Sequence, residues 1–186
     1  MEDVQIVEMY IERNEQAINE TSSKYGNYCF HIAFNILTHR GDAEETVNDT
    51  WLSAWRSIPP HRPARLSTYL GKITRRLALV RWKAANAQKR GGGETALALE
   101  ELGECIAHSD TLESTMELKE LTKVLNGFIK NLPNTEQRIF VCRYWYLYSI
   151  KTIAQDFGFS ESKVKSMLSR TRIKLKNHLE KEEIYL

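Results

Sequence analysis

"FGFSESKVKSMLSRTRIKLKNH", Phe157 to His178, sets a glycine between two phenylalanines, follows with three polar residues, and then runs an apolar row at Val164, Leu168, Thr171 and Leu175. Steps of four, three and four keep that row on one helical face at about 3.6 residues per turn. The rest of the turn carries Lys163, Lys165, Arg170, Lys174 and Lys176. One face must therefore pack on protein, while the other offers water, or a polyanion, a broad cationic surface.

The preceding residues complete a motif. Ile150, Ile153, Ala154 and Phe157 make a short helix behind Ser149 as N-cap; Gly158 permits the positive φ of a tight turn, and Ser160 caps a second helix. Ala154 is small enough for two helices to approach, Gly158 lies four further on, and Val164 six beyond that. This is the spacing of a helix-turn-helix. Helical hairpins of this kind also occur in purely structural bundles, and it is the basic outer face that points to DNA.

The 186 residues suggest one ordinary domain or two small ones, and 42% hydrophobic with 27% charged residues is a soluble globular composition. No stretch approaches the roughly 18 apolar residues that span a bilayer. The Met-Glu-Asp start lacks the basic and apolar segments of a signal peptide, so a cytoplasmic location is expected. Cys29, Cys105 and Cys142 are odd in number and far apart, which fits reduced thiols rather than a disulfide framework or a metal site.

A net charge of +2 conceals strong segregation. Residues 1–49 hold ten acidic and three basic residues, whereas 50–93 hold ten basic and none acidic. Residues 94–120 then hold eight acidic and one basic, and 160–176 six basic and one acidic. A single basic run is usually a solvated helix face. Two runs separated by an acidic one are better explained by a phosphate backbone as partner.

Helical spacing covers residues 4–37 and 43–57, with Asp42 as N-cap of the second stretch. Pro59, Pro60 and Pro63 impose an extended break before a helix from about Ser67. In that helix Leu66, Leu70, Ile73, Leu77 and Val80 form an apolar row, opposite Lys72, Arg75, Arg76 and Lys83. Tyr69 and Trp82 interleave with the cations; they are either core residues or surfaces on which single-stranded bases stack. The loop before the helix bears His61, Arg62 and Arg65 and suits one wall of a pocket for an unstacked base. Gly91–Gly93 lacks the lysine and Ser/Thr of a nucleotide-binding loop and reads as a hinge. It opens an acidic linker over residues 91–111, with a short helix at Leu97–Leu102, before a second helical domain over 112–186.

With these residues in place, the chain resembles the bacterial RNA polymerase sigma factors of the small, two-domain extracytoplasmic-function type. "DAEETVNDTWLSAW" (Asp42–Trp55) is similar to that family's polymerase-docking helix, and "LSTYLGKITRRLALVRWKAANAQKRG" to its promoter-melting and minus-ten segment. "LPNTEQRIFVCRYWYLYSIKTIAQDFGFSESKVKSMLSRTRIKL" resembles its fourth region, which ends in the helix that reads the minus-35 element. The resemblance implies an all-α fold of two small helical domains joined by a flexible acidic linker, the second carrying the helix-turn-helix. Domain 1–90 would dock on core polymerase and capture the opened minus-ten strand, and 112–186 would read duplex promoter DNA. The linker's charge would suit polymerase channels lined by basic residues.

Residue by residue, the resemblance assigns polymerase docking to Asp42, Glu45, Asp49, Trp51 and Trp55, where a mixed acidic and aromatic face suits a protein interface. The two tryptophans lie four apart, so core is the competing role for at least one. Lys72, Arg75, Arg76 and Arg81 fall in the melting segment. Lys165, Ser166, Ser169 and Arg170 fall at recognition-helix positions, with Thr152 and Lys163 near phosphates. Arg76 stands where the family more often has asparagine, and Met167 where arginine is usual. The resemblance further implies core RNA polymerase and promoter DNA as partners, an anti-sigma protein as another, and no cofactor, metal, membrane or small-molecule substrate.

Enzyme chemistry finds no support in the residues. His31, His39, His61, His108 and His178 are scattered, with no HxxxH, no carboxylate pair beside a histidine and no nucleophile motif. The alternative is a free-standing helix-turn-helix regulator, which would need a dimer to span two half-sites and would leave the carboxylate-free, aromatic-bearing segment without a role.

Overall fold

The computed structural model describes residues 1–86, 93–106 and 115–182, with side chains over 1–85, 93–103 and 120–182. Among these residues there are nine helices and no strand, in line with the all-α expectation. The chain divides into two compact units, Met1–Gly91 and Gly92–Leu186.

The first unit contains α1 (Asp3–Ile11), α2 (Gln16–Leu37), α3 (Arg40–Ser57) and α4 (Leu66–Asn86). The helical spacing over 4–37 is interrupted at Arg13, where φ is 59°. Asn14 Oδ1 accepts the Gln16 N–H at 3.0 Å, and this side-chain competition for the backbone starts a new helix. Asp42 is not the N-cap of α3. That role falls to His39, whose Nδ1 accepts the Asp42 N–H at 3.3 Å. The ring nitrogen satisfies an orphan donor as a hydroxyl would, and Asp42 sits in the first turn, where its charge suits the helix dipole.

The core of this unit joins Ile6, Val7 and Tyr10 of α1 to Cys29 of α2, Trp51 and Ala54 of α3, and Leu66, Leu70 and Ile73 of α4. Each fully buried aliphatic side chain stabilises by about 1.5–3 kcal/mol. Burial pushes the Cys29 thiol up to about 11, which keeps it protonated and inert. Thr46, Thr50 and Thr74 are also buried, each donating to the carbonyl four residues back, and Thr50 and Thr74 meet at 3.1 Å across α3 and α4. Asp3 ties α1 to its neighbours, accepting from Lys24 Nζ at 2.8 Å, Tyr25 OH at 2.5 Å and the Leu66 N–H at 3.3 Å. Burial alone would raise its pKa; these donors outweigh burial and hold the carboxyl below its ordinary range.

Val80 departs from the apolar row read in the sequence, being 61% exposed. A strict 4-3-4-3 row has a period of 3.5 and drifts off the face of a straight helix. The buried side continues instead through Thr74 and Ala78.

The second unit contains α5 (Gly93–Ile106), α6 (Thr115–Asn131), α7 (Asn134–Tyr144), α8 (Ile150–Phe157) and α9 (Glu161–Lys181). Helix α9 packs against the other four and buries Val164, Leu168, Thr171, Leu175 and Leu179. The stretch read as an acidic linker contains α5, which is longer than the short helix expected and packs on α7 and α9. Residues 107–111 and Gly91–Gly92 of that stretch, with the hinge reading, lie outside the described residues.

Two carboxylates explain why α5 joins this unit. Arg143 is fully buried; its Nη1 donates to Glu94 Oε2 at 2.6 Å and to the Tyr148 carbonyl at 3.1 Å, and Glu101 lies at 3.4 Å. Tyr144 OH donates to Glu101 at 3.0 Å and accepts from Arg172 at 2.9 Å. A buried guanidinium requires such partners, because leaving it unpaired is strongly unfavourable. Arg143→Ala is expected to lower the stability of this unit by about 3 kcal/mol. Glu94→Gln, at a half-exposed position, should cost under about 1 kcal/mol. Denaturant unfolding followed by circular dichroism checks both, and equal small effects would contradict the role given to Arg143.

Candidate nucleic-acid interface

The reversal between α8 and α9 follows the sequence closely. Ser149 Oγ accepts the Thr152 N–H at 3.0 Å and Ser160 Oγ accepts the Lys163 N–H at 3.2 Å. Gly158 takes φ 65° and ψ 34°. The Phe159 N–H reaches the Ala154 carbonyl at 2.9 Å and the Gly158 N–H reaches Gln155 at 3.3 Å, the two bonds of a Schellman turn. A side chain at Gly158 would meet no atom within 4 Å, so the glycine is required by backbone conformation rather than by crowding.

Because Val164, Leu168 and Thr171 face inward, Lys165, Ser166, Ser169 and Arg170 face out and are exposed. Thr152 and Lys163 are exposed as well. Arg170 Nε donates to its own helix at the Ser166 carbonyl, 3.3 Å away. Farther along, Lys174 pairs with Glu136 at 2.8 Å and Arg172 with Glu101 at 3.4 Å, so these two cations serve the fold. Glu161 and Ser162 are exposed in the first turn of α9, where a groove-entering helix meets base edges. A search weighted toward cations passes over them. Met167 is half-buried.

The basic segment of the first unit is less uniform than its composition. Lys72 and Arg76 are exposed on α4. Arg75 is half-buried, and desolvation lowers its pKa. Arg65 is exposed; Arg62 pairs with Glu8 at 2.6 Å, and His61 Nδ1 lies 3.0 Å from the Ser57 carbonyl. Tyr69 packs its ring against the core and donates its hydroxyl to Ser57 Oγ at 2.8 Å, with the His61 ring 6.3 Å away. The loop and α4 thus meet at one half-buried aromatic. Arg81 bridges to α3, with Nη1 at 2.7 Å from Glu45 and Nη2 at 2.7 Å from Asp49. The hydrogen bond and charge of Arg81 hold the Glu45 carboxyl below its ordinary range.

On α3 the two tryptophans separate. Trp51 is buried at 6% exposure, whereas Trp55 is half-buried beside Tyr10, with the Arg13 guanidinium 5.3 Å from its ring. Asp42, Glu45 and Asp49 point outward, and Leu52, three residues beyond Asp49, is 46% exposed on the same side. The sequence reading named the two tryptophans and did not single out Leu52, although its spacing from Asp49 was visible.

Residues 23–88 match Sigma-70 region 2, and residues 125–175 match Sigma-70, region 4. The chain belongs to the sigma-70 family. Region 2 thus spans α3, the proline loop and α4, and region 4 spans the helix-turn-helix. A relative from Xanthomonas campestris pv. campestris, named "Probable RNA polymerase sigma factor RfaY", is 26% identical over 167 residues. That similarity covers 89% of this chain and 41% of the relative, so the chain spans about two-fifths of the relative's length.

The α3–α4 bridge in region 2 is a measurable unit. Because both ends are partly exposed, a double-mutant cycle between Arg81→Ala and Asp49→Ala should give a coupling of about 0.5–1 kcal/mol in thermal or denaturant unfolding. Strict additivity would show that Asp49 does not hold Arg81 in solution.

Proposed function

We propose that this chain is a non-catalytic transcription initiation factor of the extracytoplasmic-function type, which binds core RNA polymerase and directs it to promoters in the cytoplasm. The carrying observation is that both α4 and α9 bury one face and expose cations on the other, in two different structural settings. Helix α9 presents a rigid, capped edge suited to a major groove, with Lys165, Ser166, Ser169 and Arg170 toward bases and Thr152 and Lys163 toward phosphates. Helix α4 and the proline loop present Lys72, Arg76, Arg65, His61 and Tyr69, charge beside aromatic surface, which suits an opened minus-ten strand. Arg62, Arg75 and Arg81 shape that surface from their ion-paired or half-buried positions. A free-standing regulator leaves this second surface without a ligand.

Core polymerase is assigned to the outward side of α3: Asp42, Glu45 and Asp49 around Leu52, with Trp55 at the margin and Trp51 holding the helix from within. An apolar anchor ringed by charge is the usual composition of a compact interface. An anti-sigma protein is a further partner of the same reading. No helix of the described residues is long and apolar enough to cross a membrane.

Leu52→Arg tests the docking face, because a substitution at so exposed a position should leave the helical content unchanged. Pull-down of core polymerase is expected to weaken at least about tenfold, corresponding to a central interface residue. Undiminished binding would remove α3 from the interface.

A further inference from the structure

The helix-turn-helix reading explains the glycine of Phe157-Gly158-Phe159 and leaves both phenylalanines unexplained. Neither ring is a fully buried core residue; both are half-buried, with centroids 6.5 Å apart. Each is faced by a cation. The Lys163 ammonium sits 3.6 Å from the centre of the Phe159 ring, and the Arg138 guanidinium, from α7, lies 5.1 Å from that of Phe157.

We propose that Phe159 is a positioning residue for duplex binding, whose ring holds the Lys163 ammonium in place for a DNA phosphate beside the N-terminus of α9. The proposal rests on the duplex-reading role of α9. Lys163 is the third residue of α9, and a cation in a first turn opposes the helix dipole, so local helix stability does not account for it. Its backbone N–H is already fixed by Ser160 Oγ, and the ring fixes the other end of the side chain.

The choice of a ring as partner is informative. A carboxylate would orient the lysine and also cancel its charge, as Glu136 does for Lys174. A ring face orients the ammonium through its quadrupole and leaves the full charge for a phosphate. Among the described residues neither Lys163 nor Arg138 forms an ion pair. A lysine side chain is rich in rotamers, and part of that entropy is then already lost before DNA arrives.

The test uses core RNA polymerase reconstituted with the full chain, and a promoter fragment that the wild-type complex enriches from a random-sequence library. Closed-complex dissociation constants are measured across a salt series, with core alone as the background. Lys163→Ala should weaken binding and lower the slope of log K against log salt by about one. Phe159→Leu should weaken binding about two- to fivefold while Lys163 is present, and should have no further effect in the Lys163→Ala background. Phe159→Tyr, which keeps the ring, should bind as the wild type does.

Full additivity of Phe159→Leu and Lys163→Ala overturns the proposal, because the ring would then act without the lysine. So does a Phe159→Tyr variant as weak as Phe159→Leu, or a Phe159→Leu variant as tight as wild type. If the wild-type complex enriches no fragment, the promoter-reading function itself fails and the proposal falls with it, an outcome distinct from non-coupling on a bound fragment.

Discussion

What the second unit can present to a duplex depends on the one-residue reversal at Gly158. Its left-handed φ of 65° turns the chain, two backbone hydrogen bonds close the end of α8, and Ser160 opens α9. The roll of α9 is then set by burial of Val164, Leu168, Thr171, Leu175 and Leu179. Each residue of an α-helix is rotated by about 100° from the last, so a one-residue slip would replace Lys165, Ser166 and Ser169 with a different edge. The same helix is the packing partner of α5, α6, α7 and α8, so the face proposed for DNA and the core of the unit are two sides of one element.

Charge in this protein does two kinds of work, and a net charge of +2 reveals neither. Arg62, Arg81, Arg143, Arg172 and Lys174 are committed to carboxylates that tie helices together. Lys72, Arg76, Lys163 and Lys165 form no ion pair among the described residues and keep their charge available. These four lie on the exposed sides of α4 and α9. In region 2 the bridge from Arg81 to Glu45 and Asp49 joins the helix assigned to polymerase with the helix assigned to the opened strand.

The features legible in the sequence were those set by neighbours within a turn or two. Both serine caps, the glycine turn and the inward row of α9 are local, and each was readable from spacing alone. The break at Asn14 was equally local but hidden by helical spacing on both sides. Partnerships across the fold were not legible: Arg143 meets Glu94 and Glu101 across 49 and 42 positions, and Arg81 meets Glu45 and Asp49 across 36 and 32. Composition and charge therefore read residues 91–111 as a linker around a short helix, and the resemblance placed Arg81 in the melting segment without showing its carboxylate partners. Trp51 and Trp55 show the same boundary, since their spacing placed them together while the fold buries the first and half-buries the second.

In the proposed function the two units act together, through polymerase, at a promoter. Run-off transcription by core RNA polymerase on a template carrying an enriched fragment, with and without the chain, tests it most directly. A discrete transcript that requires the chain, and that is lost with Leu52→Arg, is the expected result. Tight binding of a two-fold symmetric duplex by the chain alone, with no chain-dependent transcript from core polymerase, would instead make it a free-standing regulator.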